Sequence, residues 1–248
     1  MHRVHALRSA ALLLACTAFA PAAVACAQGL SLAWEDCRSP AGAGLTNRGF
    51  GCVSNIVEIP LFPSFTLATP VDSVLAVELV IDVDVAADSL PEWWRMDPGQ
   101  CRANAWSANV SFAGSCEDPW GGVGAATVQG WLPSVPGGSG RHGRLLVTAG
   151  VLPAQAVTLS ALSPYTACRV LLRTIESTTC PGCSVPACLV LNSILVRRLP
   201  GSSVEEILIG VAESSGSNFV LWQGGSGADC QSVPSRRSTW GAVKALYR

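Results

Sequence analysis

Four cysteines late in the chain have the spacing best suited to chemistry. Cys180-Pro-Gly-Cys183 is a CxxC pair, and Cys188 and Cys230 follow it. Four thiolates could hold zinc, although the second pair lacks the CxxC spacing of the first. A redox pair needs its first cysteine at a helix N-terminus, where the thiol pKa falls. Pro186 and the β-rich run after it deny that helix. In an exported chain the four read as two structural disulfides, with three pairings open. We favour Cys180–Cys188 and Cys183–Cys230, because closing a CxxC constrains little chain. No metal and no cofactor is expected.

Cys37 and Cys52 lie 15 positions apart, as do Cys101 and Cys116. Each pair brackets a loop or a short hairpin, and closing such a loop is worth about 3 kcal/mol in the chain-entropy model. Cys168 is then the odd cysteine. It sits inside an apolar strand and reads as a buried free thiol.

The remaining chemistry is sparse. Glu78, Asp82 and Asp84 share one side of a strand and could serve a glycosidase or bind calcium. The plainer reading is a solvated outer sheet face. His142 is the one histidine outside the first 27 residues, and it lies in a Gly-rich stretch. Serine hydrolysis needs such a base, yet no GxSxG occurs; GGSG is found at 137–140 and 224–227. Trp93, Trp94 and Trp120 fall in expected loops. Exposed there, their rings could stack on sugars; the plainer reading is packing in the core or against the disulfides.

The elements that must position these groups are strands. Residues 74–85, VLAVELVIDVDV, alternate: Leu75, Val77, Leu79, Ile81, Val83 and Val85 on one side, Val74, Ala76, Glu78, Val80, Asp82 and Asp84 on the other. Period two with one apolar face predicts a long strand packed on a second sheet. Further strands are expected at 28–34, 50–54, 64–68, 105–112, 123–131, 144–148, 157–160, 165–174, 188–199, 204–211 and 219–223. Pro60, Pro63 and Pro70 should confine the 64–68 strand to an edge or make its ends abrupt. Residues 92–95 read as one helical turn. Trp240, Val243 and Tyr247 share one face of a short C-terminal helix. Short strands and Gly/Pro turns throughout predict an all-β, disulfide-stabilised β-sandwich, Ig-like or jelly-roll-like.

Residues 1–27 read as an export signal: a basic start, an apolar core over 10–20, and Ala25-Cys26-Ala27 as the cleavage site. Lipidation at Cys16 or Cys26 is the alternative. No integral membrane span is expected after cleavage. Loss of Arg3 and Arg8 leaves 14 basic and 17 acidic residues, net −3. That balance carries no basic stripe and argues against nucleic acid as a partner.

Several segments together resemble a group of exported bacterial proteins without known activity. They are Trp34-Glu35-Asp36-Cys37, Leu90-Pro91-Glu92-Trp93-Trp94, Cys101-Arg102, the run from Cys180 to Ser193, and the ending from Thr239 to Arg248. The likeness covers most of the chain after residue 27. It implies bacterial origin, export and a cysteine-stapled β fold, and names no catalytic residue. Cys168 departs from that pattern, where a large apolar residue is expected.

The expectation is therefore a signal peptide (1–27), a β-sandwich domain (28–223) and a C-terminal segment with a short helix (224–248). The function expected is that of a secreted or surface-displayed structural or binding protein without catalysis, extracellular, at the cell surface or periplasmic. A glycan or another cell-surface molecule is the expected partner. The alternatives are a carbohydrate-binding module using Trp93, Trp94 and Trp120, and a carboxylate-dependent hydrolase.

Overall fold

The computed structural model describes residues 28–38, 44–112, 116–134, 139–211 and 218–231. The export segment and the C-terminal helix expected above lie outside them. Thirteen strands form within the described residues: β1 (Gly29–Trp34), β2 (Asn47–Arg48), β3 (Glu58–Thr66), β4 (Val71–Val85), β5 (Trp106–Asn109), β6 (Ala125–Leu132), β7 (His142–Gly150), β8 (Val157–Leu159), β9 (Tyr165–Thr166), β10 (Arg169–Arg173), β11 (Ala187–Arg198), β12 (Glu206–Gly210) and β13 (Phe219–Trp222). Glu92–Trp94 is a single 3-10 turn, where one helical turn was expected.

The strands make two sheets. One has the order β1-β3-β10-β5, with β9 also paired to β3. The other has the order β2-β13-β11-β4-β7-β6, with β12 on β11 and β8 on β4. All pairings but β13 with β2 are antiparallel. Leu32 and Trp34, Ile59 and Leu61, and Val170 and Leu172 of the smaller sheet join one core with Leu79, Ile81, Val83, Leu189, Leu191, Leu145 and Val147 of the larger. Aromatic pairs link the sheets at two places: Trp34 with Trp222, ring centroids 6.2 Å apart, and Trp106 with Trp131, 6.4 Å apart. The chain is a disulfide-stabilised, sandwich-like all-β fold.

β4 carries the expected apolar face with one slip. Val77, Leu79, Ile81, Val83 and Val85 are buried, but Leu75 is not; Val74 takes its place. Val74 pairs with Arg198 and Ala76 with Arg197, so Leu75 is the extra residue of a bulge. A bulge shifts the alternation by one, which strict period-two reading cannot see.

The proline expectation is corrected. Pro60 and Pro63 lie within β3, which is paired on both sides. Each missing N–H falls where a neighbouring strand stops. Pro60 faces the chain just past β1, its carbonyl accepting from the Glu35 N–H at 2.9 Å. Pro63 faces the break between β9 and β10, its carbonyl accepting from the Ala167 N–H at 2.9 Å. No ladder donor is lost at either place. The same break splits the expected 165–174 strand in two. The expected 50–54 strand is replaced by the two-residue β2.

Candidate functional site

Strand ends and loops converge at one end of the larger sheet, where β4 and β13 end and β7 and β11 begin. Four disulfides are present among the described residues: Cys37–Cys116, Cys52–Cys183, Cys101–Cys180 and Cys188–Cys230, with Cα separations of 5.4–6.0 Å. All four favoured or bracketed pairings are thereby corrected. The strands, not the cysteine spacing, decide which loops meet. The partners lie 42 to 131 residues apart in sequence. Cys168 is a buried free thiol, and burial pushes its pKa up. Such a set of disulfides marks a chain that folds in an oxidising compartment.

Two of the disulfides close a tryptophan cluster. Trp93 stacks on Trp222 at 5.0 Å, and Trp94 meets Trp93 edge-on at 4.8 Å. The 175–186 loop lies over them. The Trp222 indole donates to the Cys183 carbonyl at 2.8 Å, and the Trp93 indole to Ser177 Oγ at 3.0 Å. Gly182, at φ +106°, brings this loop onto Pro91; a Cβ there would sit 2.3 Å from the proline ring. Trp120 is held separately. Its indole donates to the Ala167 carbonyl at 2.8 Å, and Asp118 accepts from its backbone N–H at 2.7 Å. Trp93, Trp94 and Trp120 are each 0% exposed. This is the core packing weighed against sugar stacking in the sequence, and with all three rings buried none of the three offers a ring face to a sugar.

Arg102 is fully buried beside them. Its guanidinium lies 3.7 Å above the Trp93 ring. It donates to the carbonyls of Ile175 (2.8 Å), Trp93 (3.0 Å) and Arg173. No carboxylate neutralises it among the described residues; carbonyl dipoles and the ring face do that work. Burial pulls its pKa down to about 9.

The carboxylates of β4 also depart from expectation. Their side of the strand turns away from the smaller sheet, yet Asp82 and Asp84 are each only 3% exposed. Arg144 of β7 grips Asp82 with two hydrogen bonds, 2.6 and 2.9 Å, and Asn192 of β11 adds a third at 2.6 Å. Glu78 takes two bonds from Arg197. Asp84 is covered by loops: it accepts from Arg141 Nε (2.9 Å), from His142 Nε2 (2.8 Å) and from the Asp229 N–H (2.6 Å). Cys188–Cys230 holds that last segment in place. The expected wet face is therefore a set of ion pairs, buried at Asp82–Arg144 and half-buried at Glu78–Arg197. The Glu117 backbone carbonyl accepts from the Thr166 N–H of the smaller sheet at 2.9 Å, and Asp118 accepts from the Trp120 and Gly122 N–H groups. Asp36 lies near Cys37 and Cys116, but those sulfurs are bonded to each other and offer no thiolate.

His142 and Ser139 share a tight turn closed by the His142 N–H to Ser139 carbonyl bond, 3.1 Å. Asp84 can only accept, so His142 Nε2 carries the proton. The Ser139 backbone N–H and carbonyl oxygen lie 3.1 and 3.2 Å from Nδ1, and it is the Asp84 contact at Nε2 that makes Nδ1 the acceptor of that N–H. Ser139 Oγ lies 2.9 Å from that same Nδ1. Sequence reasoning set His142 aside as a loop residue; the signal it missed is the β4–β7 register, which puts Asp84 opposite His142.

Comparison with protein families, with curated proteins and with solved structures finds no match to this chain. The functional reading rests on the geometry.

Proposed function

We propose that the chain is a secreted or surface-displayed structural or binding protein, exported by residues 1–27 and working through its exposed loops. The observation that carries this reading is the set of four disulfides between distant segments. Cytosolic thiol buffers would keep such cysteines reduced. The cross-links also hold surface loops in fixed shapes, which lowers the ordering cost of docking. One such loop follows Cys52, and it presents Val53 and Ile56 at 83% and 92% exposure. Two large aliphatic side chains on a stapled loop suit an apolar contact with another cell-surface molecule.

The test is expression of the full chain in a bacterial host, with cell fractionation and alkylation of free thiols before lysis. The expected result is protein in the periplasm, at the surface or in the medium, with eight cysteines protected. Removal of residues 1–27 should leave it in the cytoplasm with its thiols alkylated. A full-length chain that stays cytoplasmic and reduced refutes the proposal. Val53→Asp with Ile56→Asp should then weaken retention on the cell surface without lowering the melting temperature.

A further inference from the structure

Going beyond that reading, we propose that Ser139 is a nucleophile, with His142 as its general base and Asp84 as the residue that orients the base. Serine hydroxyls are poor nucleophiles until a neighbouring base can take their proton. Here the base is defined by its partners. The Asp84 carboxylate holds Nε2–H at 2.8 Å, which leaves Nδ1 unprotonated and 2.9 Å from Ser139 Oγ. The Ser139 N–H, at 3.1 Å, and the Ser139 carbonyl oxygen, at 3.2 Å, lie against the same Nδ1, so Oγ shares that nitrogen with the backbone N–H. The roles of the two ring nitrogens are exchanged relative to serine proteases, but the relay of serine, imidazole and carboxylate is the same. Asp84 is buried and itself fixed by Arg141 and by the Asp229 N–H. The ring is therefore oriented by a rigid group, while Ser139 stays exposed. The N–H groups of Gly140 and Arg141, in the same turn, make no hydrogen bond among the described residues.

The substrate class is a small activated carboxylic ester that can reach a surface turn. Ser139 Oγ attacks the carbonyl carbon, and its proton passes to Nδ1. The C–O bond to the leaving group breaks, and the alcohol departs with the proton from Nδ1. Water then gives a proton to Nδ1 and its oxygen to the acyl carbon. The Oγ–acyl bond breaks and Oγ recovers the proton. Ester and water have become acid and alcohol, with no other reactant.

The test uses the oxidised protein from Gln28 onward with a fluorophosphonate probe and with p-nitrophenyl acetate. The expected result is one labelled serine, mapped to Ser139 by peptide mass, and release of nitrophenolate. Ser139→Ala should abolish the label. His142→Gln should slow labelling on the order of 100-fold, the usual worth of a general base. Asp84→Asn should slow it as well and Asp84→Glu restore part of the rate; a purely structural Asp84 would show no such rescue. Near-ultraviolet circular dichroism of the buried tryptophans reports whether each variant is folded. Ser139→Ala changes an exposed turn residue and should fold as the parent does. Labelling that is absent, or that is equally fast in folded Ser139→Ala, overturns the proposal.

Discussion

Arg144→Met is the most informative single change. It removes both bonds that hold Asp82 and leaves that carboxylate 3% exposed with Asn192 as its remaining side-chain donor. Breaking a buried ion pair from one side costs about 3–5 kcal/mol, because the other charge stays in place without compensation. Asp82→Leu leaves the Arg144 guanidinium in the same position and should cost about as much by the same reasoning. The double variant removes both charges. What remains is an Asn192 amide that has lost its carboxylate, worth about 1–3 kcal/mol. The double variant should thus be more stable than either single one, with a coupling energy of at least about 3 kcal/mol in the double-mutant cycle. Urea unfolding with disulfides intact measures this, read by fluorescence of the buried tryptophans. Single variants that each cost under about 1 kcal/mol, and add, would show a solvated surface pair. The reading of this face as a buried ionic network would then be wrong.

Other perturbations test other parts of the same end. Arg102→Met should cost several kcal/mol and Arg102→Lys should not rescue it, since an ammonium cannot reach the carbonyls of Ile175, Trp93 and Arg173 in one fork; denaturant titration decides. Because burial lowers the Arg102 pKa from 12.5 to about 9, the unfolded chain binds the proton more tightly. The burial penalty is then full below pH 9 and is relieved as pH rises above it, so the stability gap between wild type and Arg102→Met should widen from pH 9 upward. Cys168 should resist a thiol reagent such as dithionitrobenzoate in the native protein, and one thiol per chain from Gln28 should appear in denaturant without reductant. Gly143→Ala should cost about 1–3 kcal/mol and alter the near-ultraviolet signal, because its Cβ would lie 2.3 Å from the Trp131 ring.

Alternation was enough to place β4 and its buried face, because every residue of 77, 79, 81, 83 and 85 is apolar and only Val80 breaks the polar run opposite. It failed at Leu75, where a bulge changes the phase, and at Pro60 and Pro63, where tolerance depends on the ends of neighbouring strands. Polarity also misled on the outer face. Asp82 and Asp84 look solvent-facing until Arg144 and His142 are known to stand opposite them, and that follows only from the β4–β7 register. Trp93 and Trp94 fall at a helical turn as expected, but what covers them could not be read, because the 175–186 loop that roofs them lies eighty and more residues away. The eight cysteines could be recognised as bridging candidates from compartment alone. Their pairing could not, since it depends on which strand ends share one end of the fold.

The disulfides connect these errors to one cause. Closing loops of 42 to 131 residues is worth about 4–5 kcal/mol each in the chain-entropy model, more than the short closures the spacing suggests. The gain comes from segments that a long sheet could not hold by hydrogen bonding alone. Residues 224–231 contain no strand, yet Cys188–Cys230 fixes them on β11 and thereby sets the Asp229 N–H on Asp84. Residues 50–57 likewise contain no strand, and Cys52–Cys183 ties them to the loop that roofs the tryptophans. The sheets supply the register that puts Asp84 beside His142 and Asp82 beside Arg144. The sulfur bridges supply the cover that excludes water from these charges at that end. Chemistry and stability therefore share the same residues there, and a change that loosens the cover at Cys188–Cys230 acts on Asp84 first.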